Sequence, residues 1–165
     1  MACNSAPQLR ISGVIEESIV DGPGFRYVIF TQGCPHGCPG CHNPQTHDFN
    51  GGTLIDPLCL LPEIDENSLL SGVTFSGGEP FVQPKALLPL AREIKKRGLH
   101  LLIYSGYTYE QLYALARTDQ AIAELLRLCD TLIDGPYVEE ERDLTLQFRG
   151  SSNQRILQLR DGQII

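Results

Sequence analysis

The sequence of 165 residues lacks several features that would place it in a class at once. No apolar run approaches the roughly 20 residues that cross a bilayer, which excludes a membrane-spanning helix. Acidic side chains outnumber basic ones by 20 to 13, and the net charge of −7 argues against a nucleic-acid groove, which normally carries a basic stripe. Residues 1–10 show no secretory signal. These absences predict a cytoplasmic protein with no membrane or nucleic-acid partner.

Low-complexity runs, internal repeats and linker-like stretches are also missing, while 42% of the residues are apolar. This length and composition predict one globular domain spanning residues 1–165. The six cysteines are Cys3, Cys34, Cys38, Cys41, Cys59 and Cys129. Because no secretory signal precedes them and their spacing is clustered, they favour metal binding or catalysis over a disulfide framework.

Strand-like and helix-like segments alternate along the chain. Strands are predicted over residues 9–15, 26–31, 73–76, 99–104, 131–134 and 155–160. Helices are predicted near residues 58–61, before Gly98, from a capping box at Thr108 and Gln111, and over 120–128. Pro89 either kinks the helix that ends at Gly98 or makes that helix start near Leu88.

This alternation predicts an α/β fold with a largely parallel sheet. A closed eight-unit barrel takes about 250 residues, or about 30 residues per unit. The chain is therefore long enough for a partial (β/α) barrel of about five to six units with mostly parallel strands. In such a fold, the loops that bind ligands lie at the carboxyl-terminal edge of the sheet.

Cys34, Cys38 and Cys41 form the most informative motif, with the spacing C-x3-C-x2-C directly after a predicted strand. Thiolates this close together favour zinc, Cu(I) or an iron–sulfur cluster. A four-iron cluster held by three protein thiolates keeps one iron open to a small molecule, whereas a cluster with four thiolates mostly transfers electrons. The motif therefore predicts metal-centred chemistry.

A structural zinc site is the alternative interpretation of the three cysteines. Its fourth ligand would come from His36, His42, His47 or Cys59. The remaining cysteines are too scattered to hold a second cluster, and Cys59 and Cys129 are interpreted as small buried hydrophobic residues.

A second motif, Ser76-Gly77-Gly78-Glu79-Pro80, also follows a predicted strand. Its two glycines let a ligand approach the backbone, and the carboxylate of Glu79 suits an ammonium group. Alone, the motif is typical of an ordinary turn into a helix, where the helix dipole favours an acidic residue. Together with the cysteines, it indicates a ligand site at the carboxyl-terminal edge of the sheet.

The two motifs together resemble the radical S-adenosylmethionine superfamily, and the resemblance spans about residues 13–156. It implies a 4Fe-4S cluster on Cys34, Cys38 and Cys41, with the amino and carboxylate groups of S-adenosylmethionine bound to the open iron. It also implies that the reduced cluster cleaves S-adenosylmethionine to a 5′-deoxyadenosyl radical, while the protein supplies positioning and electrostatics.

The resemblance further implies which residues contact S-adenosylmethionine. Glu79 would hold its amino group, and Gly77 and Gly78 would make room for it. The other implied contacts are Tyr104, Ser105, Asp134, Asn153 and His42. His42 is included because many members carry an aromatic residue near the adenine where this chain has Gly40.

Within the superfamily the chain most resembles the small activating proteins of anaerobic ribonucleoside-triphosphate reductases. Residues 21–26 (DGPGFR), 40–44 (GCHNP) and 148–155 (FRGSSNQR) carry this resemblance. It implies an enzyme that generates a glycyl radical on the large catalytic subunit of such a reductase. It also implies a reduced flavodoxin or ferredoxin as the electron donor.

Two alternatives remain at this point. The first keeps the chemistry and changes the partner to another glycyl-radical enzyme, such as formate lyase. The second leaves enzymes altogether and predicts a non-catalytic iron–sulfur electron carrier or a zinc-binding module. The second alternative predicts a fourth protein ligand and no binding of S-adenosylmethionine.

Overall fold

The computed structural model describes residues 7–165, so Cys3 lies outside the described residues. The strands are β1 (Leu9–Ser18), β2 (Phe25–Thr31), β3 (Thr53–Ile55), β4 (Leu70–Gly77), β5 (His100–Tyr104), β6 (Thr131–Asp134), β7 (Arg155–Arg160) and β8 (Gln163–Ile164). The helices are α1 (Leu61–Glu66), α2 (Pro84–Lys96), α3 (Tyr109–Ala116) and α4 (Gln120–Leu128). Short 3-10 turns occur at Pro44–Thr46, Pro57–Leu60, Pro80–Val82 and Glu139–Glu141.

The strands form one sheet in the order β3-β1-β2-β4-β5-β6-β7-β8. The pairs β2–β4, β4–β5 and β5–β6 are parallel. The pairs on either side of this block are antiparallel. The predicted α/β fold is therefore confirmed, and its parallel pairing is confirmed for the middle of the sheet.

The predicted number of five to six barrel units is too high. Parallel neighbours need a crossover of about a dozen or more residues. β1 and β2 are separated only by residues 19–24, and they pair antiparallel. Among the described residues, crossovers between parallel strands occur only from β2 to β6, and β3 and β8 end the sheet as open edges.

The predicted helices agree well with the structure. The bounds of α4 are those predicted, and Asp119 caps it by accepting hydrogen bonds from the N–H groups of Ala121 and Ile122. The capping box of α3 is confirmed, because Thr108 and Gln111 exchange hydrogen bonds of 2.9 and 3.2 Å. Pro89 lies inside α2, which begins at Pro84, so the alternative that the helix starts near Leu88 is wrong. A proline is tolerated at that first position because its missing N–H would be unpaired anyway.

Cys59 corrects the interpretation of both outlying cysteines as buried. Cys129 is buried in the apolar core, as predicted. Cys59 is exposed because it lies in a 3-10 turn, where residues three apart share a face. In that turn Pro57 and Leu60 are buried, and Cys59 lies off their face. The turn leads into α1, and neither α1 nor the three-residue β3 was predicted.

The apolar core lies between the sheet and its helices. α2 and α4 contribute the largest buried helical faces, which include Leu87, Leu90, Ile94 and Leu125. None of the helices in residues 7–165 is long and apolar enough to cross a membrane.

A fully buried arginine, Arg26, lies on β2. Its guanidinium donates to the hydroxyl of Thr74 at 3.0 Å, to the carbonyl of Val73 at 2.8 Å and to Nδ1 of His100 at 3.0 Å. In residues 7–165 no carboxylate forms an ion pair with it. Burial lowers the pKa of Arg26 to about 10. The charge is therefore stabilised by neutral acceptors on the neighbouring strands.

The contact with Arg26 determines the protonation of His100. Because a guanidinium has donors only, Nδ1 of His100 must accept, and its proton is on Nε2. That Nε2–H donates to the hydroxyl of Thr131 at 2.9 Å, which in turn donates to Oε1 of Gln158 at 2.9 Å. Burial, and then the charge of Arg26, lower the pKa of His100. This polar row connects strands β2, β5, β6 and β7.

We expect the cluster-free protein to become more stable as pH rises through the range just below 6.5. The unfolded chain protonates His100 near its ordinary pKa of 6.5, and the folded chain protonates it only at lower pH. Between those values the unfolded state binds more protons, so stability is lost as pH falls through this window and is fully present above it. Urea unfolding at a series of pH values measures this dependence.

His100→Gln provides the comparison, because glutamine has no proton to gain in this range. We expect a smaller dependence of the unfolding free energy on pH in the variant. Equal dependence in the two proteins would show that His100 is not the responsible group.

Candidate active site

A cavity of about 540 Å³ opens at the carboxyl ends of the parallel strands. The ends of β4 and β5 contribute residues 76–78 and 104–106 to its lining, and residues 146–150 contribute a further part. The predicted site residues that line it are Cys34, Cys38, Cys41, His42, Gly77, Gly78, Tyr104 and Ser105. The structure therefore brings both motifs together, although they are far apart in the sequence.

Backbone hydrogen bonds join the root of the cysteine loop to the Gly-Gly turn. The N–H of Gly78 donates to the carbonyl of Thr31 at 2.7 Å, which extends the pairing of β2 and β4. The next N–H, that of Glu79, donates to the carbonyl of Gly33 at 2.9 Å. The loop that carries the cysteines thus begins in contact with the turn that follows β4.

This close approach explains the two glycines of the turn. Gly77 has a φ of +82°, and a Cβ there would lie 2.7 Å from Cα of Phe30. A Cβ at Gly78 would lie 2.9 Å from the carbonyl carbon of Gly33. The sequence suggested that the glycines make room for a ligand, but the backbone of β2 and of the cysteine loop already requires them.

The three thiols are half-buried and line the same cavity. Burial raises the pKa of the Cys34 thiol, while N–H groups of His36 and Gly37 act in the opposite direction. In residues 7–165 no three His, Cys, Asp or Glu side chains surround one point as ligands of a single metal ion would. A four-iron cluster makes a different demand, since each thiolate binds its own iron, and three thiols along one cavity fit that donor set.

The carboxylate of Glu79 is fully buried and does not line the cavity. One oxygen accepts from the hydroxyl of Ser105 at 2.9 Å and from the N–H of Phe81 at 3.1 Å. The other accepts from Nε2 of His36 at 2.7 Å and from the N–H of Gly106 at 2.8 Å. A carboxylate offers about four lone-pair sites, so protein donors occupy all of them. A ligand ammonium would have to displace one of these donors to reach Glu79.

His36 is one residue of this site that the sequence did not indicate, except as a possible zinc ligand. Its partner Glu79 is 43 residues further along the chain, and no local pattern connects them. The His36 ring also meets the ring of Tyr107 edge-on, with centroids 4.6 Å apart. The side chain is only 16% exposed.

Asp134 does not line the cavity either. It is fully buried, and its carboxylate accepts from the N–H of Tyr109 at 2.7 Å and from two nitrogens of Arg155. Both oxygens are therefore occupied by protein donors. Asp134 thus joins the end of β6 to the starts of β7 and α3.

The stretch 148–155 forms a wall of the cavity. Tyr104 donates its hydroxyl to the carbonyl of Phe148 at 2.7 Å, and burial raises the pKa of Tyr104 well above its ordinary value. Phe148 has a φ of +63°, a left-handed conformation that costs energy for a residue with a side chain. Gln154, which was not singled out from the sequence, accepts from the N–H of Gly150 at 2.9 Å and so holds the wall together.

Two polar atoms on this wall have no hydrogen-bond partner although they are buried: Nε of Arg149 and Oδ1 of Asn153. In residues 7–165 no carboxylate lies within 4 Å of the Arg149 guanidinium, and Arg149 lines the cavity. Asn153 does not line it, and its amide donates to the carbonyl of Pro136 at 2.7 Å. Unpaired buried polar atoms are uncommon and often mark a ligand site.

An aromatic pair lies beside the third cysteine. The rings of His42 and Tyr137 have centroids 5.0 Å apart and planes inclined by 50°, and both residues line the cavity. Each ring offers an aromatic face beside the third cysteine, which Gly40 cannot. Tyr137 was not identified from the sequence, because it follows β6 and is distant from both motifs.

The sequence matches a family described as a 4Fe-4S single cluster domain over residues 20–157. A relative from Haemophilus influenzae, named anaerobic ribonucleoside-triphosphate reductase-activating protein, is 30% identical over 146 residues, which cover 84% of this chain and 90% of the relative. A relative of the same name from Escherichia coli K12 is 31% identical and covers 86% and 94%.

Two further similarities are more partial. The pyruvate formate-lyase-activating enzyme of Clostridium pasteurianum is 36% identical over 132 residues, which cover 73% of this chain but 54% of that enzyme. Among solved structures, QueE from Escherichia coli matches 61% of this chain and 54% of its own, with a TM-score of 0.48 and 23% identity.

We expect Gly78→Ala to destabilise the protein by about 1–3 kcal/mol, because the new Cβ meets backbone atoms that cannot move aside without displacing the cysteine loop. Urea unfolding of the cluster-free protein measures the change. Gly13→Ala is the matched control, since a Cβ there meets nothing within 4 Å. Equal effects of the two substitutions would contradict the packing role of Gly78.

Proposed function

Since the chain belongs to the family of the anaerobic ribonucleoside-triphosphate reductase-activating proteins, we propose that it generates a glycyl radical on the large catalytic subunit of such a reductase. One observation carries the proposal. The three thiols of the C-x3-C-x2-C motif and the turn of Gly77 and Gly78 line a single cavity at the carboxyl edge of the parallel strands. The chain would be an oxidoreductase that uses a 4Fe-4S cluster and S-adenosylmethionine.

Cys34, Cys38 and Cys41 would hold the cluster, because they are the cavity's only thiols among the described residues. The chemistry that a bound, reduced cluster would supply is one electron to the sulfonium of S-adenosylmethionine, whose C–S bond would then break to give methionine and a 5′-deoxyadenosyl radical. A flavodoxin or ferredoxin would supply that electron, since these clusters require a donor of low potential.

Different residues around the thiols would contact different parts of S-adenosylmethionine. Gly77 and Gly78 expose backbone beside the cysteine loop, which supports a position for the methionine end there. Tyr104 and Ser105 line the neighbouring strand end and would face the ribose or the methionine. We assign Glu79 to the wall behind them rather than to a direct contact, because its carboxylate already has four donors.

The adenine would lie against His42 or Tyr137, since an aromatic face favours stacking with a flat base. Asn153 does not line the cavity, but its unpaired Oδ1 supports the proposed contact with a donor of the bound cofactor. The unpaired cation of Arg149 supports a contact with its carboxylate. The buried Asp134 has no free acceptor and contributes through Arg155 to the wall.

The radical would take a hydrogen atom from the α-carbon of one glycine of the partner, leaving 5′-deoxyadenosine and a glycyl radical. A protein loop must then enter the cavity. The sheet is open at β3 and β8, as in a partial barrel, and this supports access by a macromolecular loop. The cavity lining includes the exposed side chains of Ile19 and Val20.

An activase of a different glycyl-radical enzyme is the second candidate. The 36% identity to a pyruvate formate-lyase-activating enzyme favours it, but this chain spans only 54% of that enzyme. A non-catalytic iron–sulfur carrier or zinc module remains the candidate from a different class. The function of a carrier or zinc module does not require the cavity beside the three thiols, whereas the activase would bind S-adenosylmethionine in it.

We expect electron paramagnetic resonance to detect a glycyl-radical doublet in an anaerobic mixture of the reconstituted protein, S-adenosylmethionine, a low-potential reductant and the large reductase subunit. The doublet should require every component. Accumulation of 5′-deoxyadenosine without a radical would leave the chemistry intact and reject the partner, and pyruvate formate-lyase would then replace it. Neither product from a protein with verified iron and sulfide would reject the activase.

Serine variants define the cluster ligands in the same assay. Replacing Cys34, Cys38 or Cys41 should abolish the radical and lower the iron content. Cys59→Ser should preserve both, because Cys59 is exposed and lies outside the cavity lining. Loss of iron in the Cys59 variant would instead support a four-ligand site.

We expect Arg149→Met to weaken binding of S-adenosylmethionine to the cluster-loaded protein by about tenfold, because a charge-assisted hydrogen bond to the carboxylate is lost while the length of the side chain is kept. Equilibrium binding measures the effect. Arg160→Met, at an exposed position outside the cavity lining, is the control and should bind normally. Unchanged affinity of the Arg149 variant would exclude its contact with the carboxylate.

A further inference from the structure

The buried carboxylate of Glu79 connects three separate segments of the chain. Phe81 follows it in the turn after β4, and Ser105 and Gly106 follow β5. Only the fourth donor, His36, comes from the cysteine loop. A carboxylate without contact with water needs all of its donors, since each missing one leaves a lone pair of a buried charge unpaired.

The imidazole of His36 fits into a narrow slot beside this carboxylate. The ring of Tyr107 meets it edge-on, at an angle of 77° between the planes. A Cβ at Gly106 would lie 2.7 Å from Nε2 and 2.8 Å from Cγ of His36, so only a glycine leaves room for the ring. The His36 ring is therefore enclosed on three sides, by Glu79, Tyr107 and Gly106, unlike a surface histidine that happens to lie near an acid.

The middle of the cysteine loop has few other attachments. The two ends of the loop are joined to each other. The N–H of Gly33 donates to the carbonyl of Thr46 at 2.7 Å, and the N–H of Cys34 donates to the carbonyl of His47 at 3.2 Å. Among the described residues, the only hydrogen bond from residues 35–40 to another element is the one from His36 to Glu79. In residues 7–165, one side chain thus supplies the hydrogen bond that joins this part of the loop to another element.

We propose that His36 is a positioning residue, whose Nε2–H bond to the buried carboxylate of Glu79 holds the cysteine loop in place for cluster binding. His36 also lines the cavity, but this role requires no contact with the cluster or the substrate. It acts through the loop, because Cys34 and Cys38 lie two residues on either side of it. The inference relies on the proposed function only in taking these cysteines as cluster ligands.

The nitrogen that donates determines which substitutions test the proposal. Glu79 has acceptors only when ionised, and its other donors are two N–H groups and a hydroxyl, so Nε2 of His36 carries the proton. The amide nitrogen of glutamine reaches about as far as Nε2, whereas that of asparagine corresponds to Nδ1. His36→Gln therefore keeps the donor, and His36→Asn and His36→Ala remove it.

The first experiment measures how fast iodoacetamide labels each thiol in the cluster-free, reduced full-length protein, with peptides identified by mass spectrometry. We expect His36→Ala and His36→Asn to label Cys34 and Cys38 about tenfold faster, the effect of losing one hydrogen bond to a charged group. His36→Gln should label them at close to the wild-type rate. Buried Cys129 and exposed Cys59 report in the same sample whether the fold is intact.

Variants of the partner residues provide a matched pair. Glu79→Gln replaces one acceptor oxygen by a donor group, so it should accelerate labelling as His36→Ala does. Ser105→Ala removes a donor from the other carboxylate oxygen and leaves the contact with His36 in place. It should label Cys34 and Cys38 more slowly than Glu79→Gln does.

A second measurement uses the cluster-loaded protein and follows the loss of iron to a chelator. His36→Ala should lose iron faster than the wild type, and His36→Gln should restore retention. A general loss of stability would not distinguish glutamine from asparagine in this way.

Equal labelling rates in the wild type and all three His36 variants would overturn the proposal, as would a glutamine variant that behaves like alanine. Because the labelling is done without cluster, S-adenosylmethionine or partner, these results do not depend on the activity. A protein that passes the labelling test and produces no glycyl radical would lose the proposed function and keep the positioning role.

Discussion

The buried carboxylate of Glu79 is the constraint on which the arrangement of the site depends. It has no contact with water, so its charge is stable only when the ends of β4 and β5 and the cysteine loop all supply their donors. Removing any one donor leaves a lone pair of the buried charge unpaired, which destabilises the folded protein. The segments that surround the cavity therefore form together, and the closeness of the glycine turn to the cysteine loop follows from the same requirement.

A buried charge of the opposite sign lies earlier on the same strands. Arg26, near the start of β2, bonds to β4 and β5 through Thr74, Val73 and His100, while Glu79 acts where β4 ends. Neither group forms an ion pair with a charged residue of a described strand. Both are satisfied by hydrogen bonds whose directions are strict, and a shift of one residue between β2 and β4 would break the bonds at both ends. The pairing of the parallel block is thus specified by polar groups as well as by its apolar faces.

Local patterns explain which parts of the structure the sequence predicts. The bounds of α4, the capping box of Thr108 and the strand that leads to Cys34 depend on neighbouring residues and agree with the structure. The family resemblance anticipated the 4Fe-4S family that the sequence matches. The antiparallel flanks and the contact of His36 with Glu79 were not predictable, because they depend on residues distant in the chain. Cys59 was misjudged because its leucine neighbours indicated burial, whereas the 3-10 turn buries Pro57 and Leu60.

The two sides of the cavity differ in how far their polar groups are satisfied. On the side of the cysteine loop, the buried carboxylate of Glu79 has every donor it can use. On the side of residues 148–155, Nε of Arg149 and Oδ1 of Asn153 are buried without partners, and Phe148 has a strained backbone. Such deficits persist only where something compensates for them. A polar ligand that reaches this wall removes the deficits, so binding there stabilises the fold, whereas the carboxylate of Glu79 is already satisfied by the protein itself.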